Sequence, residues 1–549
     1  MLPLRFISID QNSTPLWDTV PKIAALVRQG LNGLHFVEDV DVAFTRHGAV
    51  PGDERVEVAR ERYYRGGTSD WGASLFYTDF LGRNPVDVRE IEPYTGLTSK
   101  ALARLLDITL DELYDRAAGS DNWQTIGVSY LGTADRHRTV GDLKVKTLKP
   151  CLRTLLAHAE ENVCQTFPHP ACRHRAREWF REERESVACL LEAGDEGRVS
   201  DLYRAWMGLH VPRGWDFDLT SELFRLDSAA VRQDPLHAVF LDHYEQAADL
   251  YNAAIEESGG SVAGLAKARG ELPFFAVFSQ DGRHYRSPVA IEEDTLHAGR
   301  HAWRLVRTVG GGRAFPYEAM SADGVTALVG KALILVPQAC HCAGGVPLVV
   351  PHRGSVYMPA ARLLTGKLQA AGLLAPAPWP VYRIRFGFLE CLRELKVPVA
   401  LPPYLHPFFG APEMMAADFA EAIPQILRQA EVELEMMTSE DGRARVAAAV
   451  SPALAREIAE KEALQRTAAG DPATRGQASE LWDQIKQPRR DLTWKTAERA
   501  LALLHVRDLG YFDSRGALLP WSIALGGTAF YHHVLRQARV YPDTEGARG

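Results

Sequence analysis

No apolar run in this chain approaches the roughly 20 residues that a membrane-crossing helix needs. The opening stretch, MLPLRFISIDQ, lacks the charged and apolar regions of a signal peptide. Both absences point to a cytoplasmic protein with no membrane partner. A basic excess is missing too: 62 Lys and Arg stand against 70 Asp and Glu, a net charge of −8. That excludes a general phosphate-backbone binder, so no nucleic-acid partner is expected. Cysteine is sparse and odd in number, seven in 549 residues, which suits reduced thiols rather than a disulfide framework. The run Gly310-Gly311-Gly312 lacks the Lys-Ser/Thr ending of a phosphate-binding P-loop. No repeat of about 20–50 residues is visible.

What is present reads as a soluble globular chain, 46% apolar and 24% charged. Its length exceeds one ordinary core and predicts two or three domains. Residues 1–150 read as the first part of an α/β core: apolar runs at Leu4–Ile9 and Gly33–Val37, a helix over Val20–Gln29, and helices in Ala101–Ala117 with Asp107 as an N-cap. Residues 151–270 read as a helical insertion, with helices over Cys151–Val163, His174–Leu191, Val199–Met207 and Leu236–Ser258. Residues 271–415 return to strands. Phe274–Phe278 and Arg283–Ala290, joined through Asp281-Gly282, form a hairpin signal. Tyr382–Phe388 and Val397–Leu401 come next as strand candidates. From 416 to 549 the pattern is helical: Ala416–Met437, Arg443–Thr467, Ala478–Gln487 and Thr493–His505, with a linker at Gly470–Gly476. The fold class expected is α/β, with a mostly parallel sheet as core.

Lys331–Lys367 is the most informative stretch. The apolar runs Ala332–Val336 and Val346–Val350 read as buried strands, expected to share one parallel sheet with residues 34–37. The loop Pro351-His352-Arg353-Gly354-Ser355 leads into a helix around Pro359–Leu368. A loop feeding a helix start offers free N–H groups to anions. Arg353 would hold a carboxylate or phosphate, Gly354 would allow close approach, and Ser355 would cap or donate. An ordinary turn with a helix cap is the plain alternative.

The second constellation is acidic. His35 and Glu38-Asp39-Val40-Asp41 lie at a strand end, where ligands of parallel sheets bind. In extended backbone Asp39 and Asp41 share a face and could bind Mg²⁺ or divide acid/base work. A solvated capping loop is the alternative. Cys340-His341-Cys342 tempts a metal reading, but extended geometry points His341 away from both thiols. Cys164, His169, Cys172 and His174 have the spacing C-x4-H-x2-C-x-H, which matches no usual zinc pattern. Neither cluster is expected to hold a metal.

Taken together, several of these segments resemble the cysteine-adding ligase family of bacillithiol synthesis and its uncharacterised bacterial relatives. The similar parts are Asp10-Gln11-Asn12, Leu34 to Asp41, Gly344-Gly345, Val239–Ala254 and Glu271 to Phe275. The resemblance implies a Rossmann-like core with helical additions and a long helical hairpin. Two departures stand out: Val40 occupies the middle of the family's Asp-His-Asp cluster, and the Gly of its Gln-containing loop is absent. They imply a shifted substrate or lost activity. The leading expectation is a ligase or group-transfer enzyme joining an amino-acid-like nucleophile to a small polar molecule. Asp39, Asp41 and His35 would carry catalysis, while Gln11, His341, Arg353, Gly354 and Ser355 would bind substrate. Mg²⁺ with a nucleotide is the cofactor candidate, and the C-terminal helices are the candidate homodimer surface. Two rivals stay open: a nucleotide-sugar glycosyltransferase, and a non-catalytic binding protein with a helical partner interface.

Overall fold

The computed structural model describes residues 5–10, 16–41, 45–46, 55–60, 76–77, 88–110, 112–113, 126–131, 138–194, 197–211, 213–259, 263–280, 282–353, 357–375, 380–470, 475–513 and 518–543. It is a mixed α/β protein built on a six-stranded, mostly parallel sheet. The strands are β1 (Arg5–Ile9), β2 (Asn32–Val37), β3 (Trp215–Leu219), β4 (Leu348–Pro351), β5 (Val381–Arg385) and β6 (Arg539–Pro542), in the order β6-β5-β4-β1-β2-β3. Five run parallel, and β6 pairs antiparallel with β5.

Alternation within the apolar runs explains how both faces are covered. Phe6, Val37, Val349 and Ile384 enter one core with helices Leu16–Arg28, Val145–Thr166, Pro170–Ala193 and Leu518–Gln537. Ile7, Phe36, Leu348 and Val350 face the opposite way, against Phe224, Val277, Val336 and Cys340. A parallel sheet buried on both sides needs near-continuous apolar strands, which is what these segments provide. Gly33 is required within β2, because a Cβ there would collide with the Phe6 carbonyl oxygen and come 2.8 Å from the Trp215 ring.

A second core belongs to an antiparallel sheet ordered 301–304, 295–298, 283–292, 271–280, 325–330. The expected hairpin forms its centre: Glu271–Gln280 pairs with Arg283–Glu292. Beyond it, Ala416–Met437, Glu440–Val450, Pro452–Gly470 and Arg475–Asp508 make the helical C-terminal region, the last two pairing as a long hairpin. No helix among the described residues is long and apolar enough to cross a membrane.

Several expectations need correction. Residues 332–336 are not a strand but the start of helix Ala332–Cys342; the strand is the preceding Val325–Gly330, in the other sheet. A short apolar run has no period that separates a buried strand from a buried helix. Asp107 is the C-cap of helix Ser99–Leu106, with φ 58°, a conformation that a short polar side chain tolerates. Strand β3 lies inside the segment read as helical; only five residues long, it alternates Asp216 and Asp218 with apolar neighbours, as suits a sheet edge. Pro398–Ala400 pairs with Glu413–Met415 rather than with the main sheet. Ala478–Gln487 and Thr493–His505 belong to one helix that carries Pro488 inside it.

Candidate functional site

Because β1 to β5 run parallel, the loops at their carboxyl ends leave from one edge of the sheet. The chain steps from β1 to β2 to β3 in one direction, then returns beside β1 and steps from β4 to β5 in the other. The strand order therefore reverses between β1 and β4, the place where open α/β sheets bind ligands. Asp10 comes just after β1, Glu38 to Asp41 after β2, Ser221 after β3, and His352 and Arg353 after β4. The acidic cluster and the Arg353 loop thus share one edge, two strand spacings apart, or about 10 Å. Gln11, Gly354 and Ser355 lie outside the described residues.

His35 sits opposite Ser8 in the β1–β2 register. Its Nδ1 is 3.0 Å from Ser8 Oγ and its Nε2 is 3.1 Å from Asp10 Oδ2. Thr19 Oγ1 donates to the other Asp10 oxygen at 2.8 Å. Burial lowers the imidazole pKa below 6.5, although Asp10 pulls the other way. Ser8 and His35 are fully enclosed, and Asp10 is 3% exposed. The Ser8-His35-Asp10 trio resembles a nucleophilic triad in composition, but a serine with no exposed surface cannot meet a substrate. His35 fixes Asp10 at the carboxyl end of β1.

The acidic residues diverge once β2 ends at Val37, so the shared face expected for Asp39 and Asp41 is not formed. Glu38 folds back, and its Oε1 accepts the N–H groups of Val40 and Asp41 at 2.7 Å each. Asp39 turns towards the start of the segment after β3. It accepts Ser221 N–H at 2.9 Å and Ser221 Oγ–H at 2.5 Å. Asp41 pairs with Arg286 of the antiparallel sheet at 2.7 Å, and that guanidinium lies 4.0 Å from the Phe275 ring centroid. Burial pushes Asp39 from 3.8 up to about 6, against its Ser221 hydrogen bonds. Burial, then the charges of Asp41 and Asp39, push Glu38 well above its ordinary 4.5. Asp39 is therefore poised near neutrality, as a general base or acid must be.

The Arg353 side of the sheet edge is basic. Arg383 donates to the carbonyls of Pro351 at 3.0 Å and His352 at 2.8 Å, and pairs with Asp543 at 2.7 Å. Burial, then Arg385, Arg353 and Arg383, push His352 down to about 4. His352 Nδ1 shares a hydrogen bond with the Tyr541 hydroxyl. Arg353 lies against Gly510, where a Cβ would collide with its guanidinium.

His341 is elsewhere. It sits near the end of helix Ala332–Cys342 and bonds the Ala230 carbonyl at 3.2 Å, so its role as a substrate ligand is not supported. The helix also replaces the extended backbone assumed for Cys340 and Cys342. His169 caps helix Pro170–Ala193, accepting the Ala171 N–H at 3.3 Å. Among the described residues no group of three His, Cys, Asp or Glu could hold a metal ion. Sequence reasoning missed Glu38 as a distinct group, Ser221, and Arg286. The Thr220-Ser221 pair just after a short strand was a usable signal, since such residues favour the caps of helix starts; nothing local marks Arg286. Comparison with protein-family models, with curated proteins and with solved structures returns no match.

Proposed function

We propose that the chain is a Rossmann-like ligase or group-transfer enzyme, related to the bacillithiol ligases, whose reaction takes place at the sheet edge beside β1 and β4. One observation carries this reading: a buried carboxyl near neutrality, Asp39, stands at the same sheet edge as the basic loop of His352 and Arg353. Asp39 would take the proton from the ammonium group of an amino-acid-like nucleophile, with Ser221 holding the carboxylate in place. Arg353 would hold the anionic group of a small polar co-substrate. His35 and Asp10 would position the loop after β1. Asp41 would tie the end of β2 to Arg286 of the antiparallel sheet. The acidic residues as arranged do not fit Mg²⁺. Asp39, Asp41 and Glu38 turn to three different partners, Ser221, Arg286 and the Val40 and Asp41 N–H groups, and do not converge on one ion. A cytoplasmic small-molecule enzyme that dimerises through its C-terminal helices belongs to the same reading.

The test is direct. The protein is incubated with amino acids and small polar acceptors, with and without ATP, and condensation products are sought by mass spectrometry. A product formed with loss of water and abolished in Asp39→Asn supports the reading. A thermal shift with UDP-sugars and none with amino acids would replace it with nucleotide-sugar transfer.

A further inference from the structure

Away from the sheet edge, helices Ala416–Met437, Glu440–Val450 and Arg475–Asp508 enclose an open groove of about 880 Å³. Its floor is apolar: Val432, Met436, Val446 and Val450. Val432 is 65% exposed, an unusual loss for a β-branched side chain in a helix that otherwise buries its apolar stripe. Arg499 pairs in a bidentate manner with Glu433 at 2.7 and 2.6 Å and closes one side. Arg428 and Arg445 line the groove with no hydrogen bond or ion pair to any described residue.

Three features decide what fits. Three arginines and a methionine, residue types enriched at protein interfaces, stand beside the apolar floor. Packed helices leave a furrow that accepts the ridge of one more helix. The two unpaired guanidiniums make this a local basic spot on a chain of net charge −8, so an acidic partner gains here what it loses elsewhere on the surface. We infer that this groove is a docking site for an amphipathic helix of a partner protein, apolar on one face and rich in Asp and Glu along its edges. Its apolar residues, at i, i+3, i+4 and i+7, would cover Val432 and Met436, and its flanking carboxylates would meet Arg428 and Arg445. No residue of the proposed reaction lines the groove.

The probe is a synthetic acidic peptide with that spacing, fluorescently labelled, against a scrambled peptide of equal composition. Fluorescence anisotropy with the full-length protein should show binding of the patterned peptide, weakened by salt, and none of the scrambled one. The Arg428→Glu/Arg445→Glu pair and, separately, Val432→Asp should each weaken binding by roughly tenfold or more. Melting temperatures should stay at the wild-type value, since all three side chains are exposed. Equal binding of both peptides, no binding at all, or unchanged affinity in the variants overturns the inference. So does a wild-type dimer that Val432→Asp dissociates, because a second copy of the chain would then occupy the groove.

Discussion

Replacing Asp39 with Asn should make the protein more stable above neutral pH. The carboxyl is 6% exposed, and burial raises it from 3.8 to about 6. A folded-state value above the unfolded one means that the native state holds the proton more tightly. Below about pH 3 both states are protonated and there is no penalty; between about 4 and 6 the unfolded state releases a proton that the native state keeps, and above about 6 the native state buries the charge and the penalty is complete. At about 1.4 kcal/mol for each factor of ten, that transition costs about 3 kcal/mol by pH 8. Asn has nearly the same shape, keeps an acceptor for Ser221 N–H and carries no charge. The value of about 6 already contains the pull of the Ser221 hydrogen bonds. The net gain at pH 8 should therefore approach about 3 kcal/mol, and at pH 4 the two proteins should differ by less than about 1 kcal/mol. Urea unfolding of both proteins from pH 4 to 8 measures this. The difference between them isolates Asp39 from the other groups that titrate. A difference independent of pH, or a variant less stable than wild type at pH 8, would sink the argument and with it the assignment of Asp39 as a poised base. A gain in stability alongside lost turnover is the expected mark of a group kept for chemistry.

Gly33→Ala should lose about 2–3 kcal/mol or fail to fold, because the new methyl meets the Phe6 carbonyl and the Trp215 ring, and a sheet backbone cannot yield; urea unfolding measures it. His35→Phe should cost about 2–4 kcal/mol at pH 7, since Ser8 and Asp10 are left buried without their partner. Wild-type stability should also fall as pH drops below 6.5, where the unfolded histidine gains a proton that the buried one resists; in His35→Phe that part of the acid slope should vanish. Arg353→Ala should keep its melting temperature within about 2 °C and lose on the order of 2–5 kcal/mol of affinity for an anionic substrate, read by calorimetry; unchanged binding would leave its loop as a mere helix entry.

The sequence carried the parts of the fold that have a period or a punctuated boundary. The 274–290 hairpin was legible from its Asp-Gly turn, β1 and β2 from apolar runs bounded by turn residues, and the helices of 145–210 from their spacing. Residues 332–336 were not, because Leu333 and Ile334 are buried whether the segment is helix or strand. The site was half legible. Strand-end position picked out Asp39 and Arg353, but pairing a strand end with its neighbour needs the strand order, and that is set by contacts hundreds of residues apart. Hence Ser221 and Arg286, the side chains that hold Asp39 and Asp41, could not be assigned from either sequence segment alone.

That strand order also sets a timetable for synthesis. Gln29 donates to the Ala538 carbonyl across 509 residues, and β6 closes the sheet beside β5 from Arg539–Pro542. The antiparallel sheet and its helices draw their core from residues 226–374, so that unit can gather while the chain is still emerging. The parallel sheet cannot be completed until Arg539–Pro542 has been made. Until then the free edge of β5 stays unpaired, which makes loss of β6 a route to edge-to-edge association rather than to a merely shorter protein.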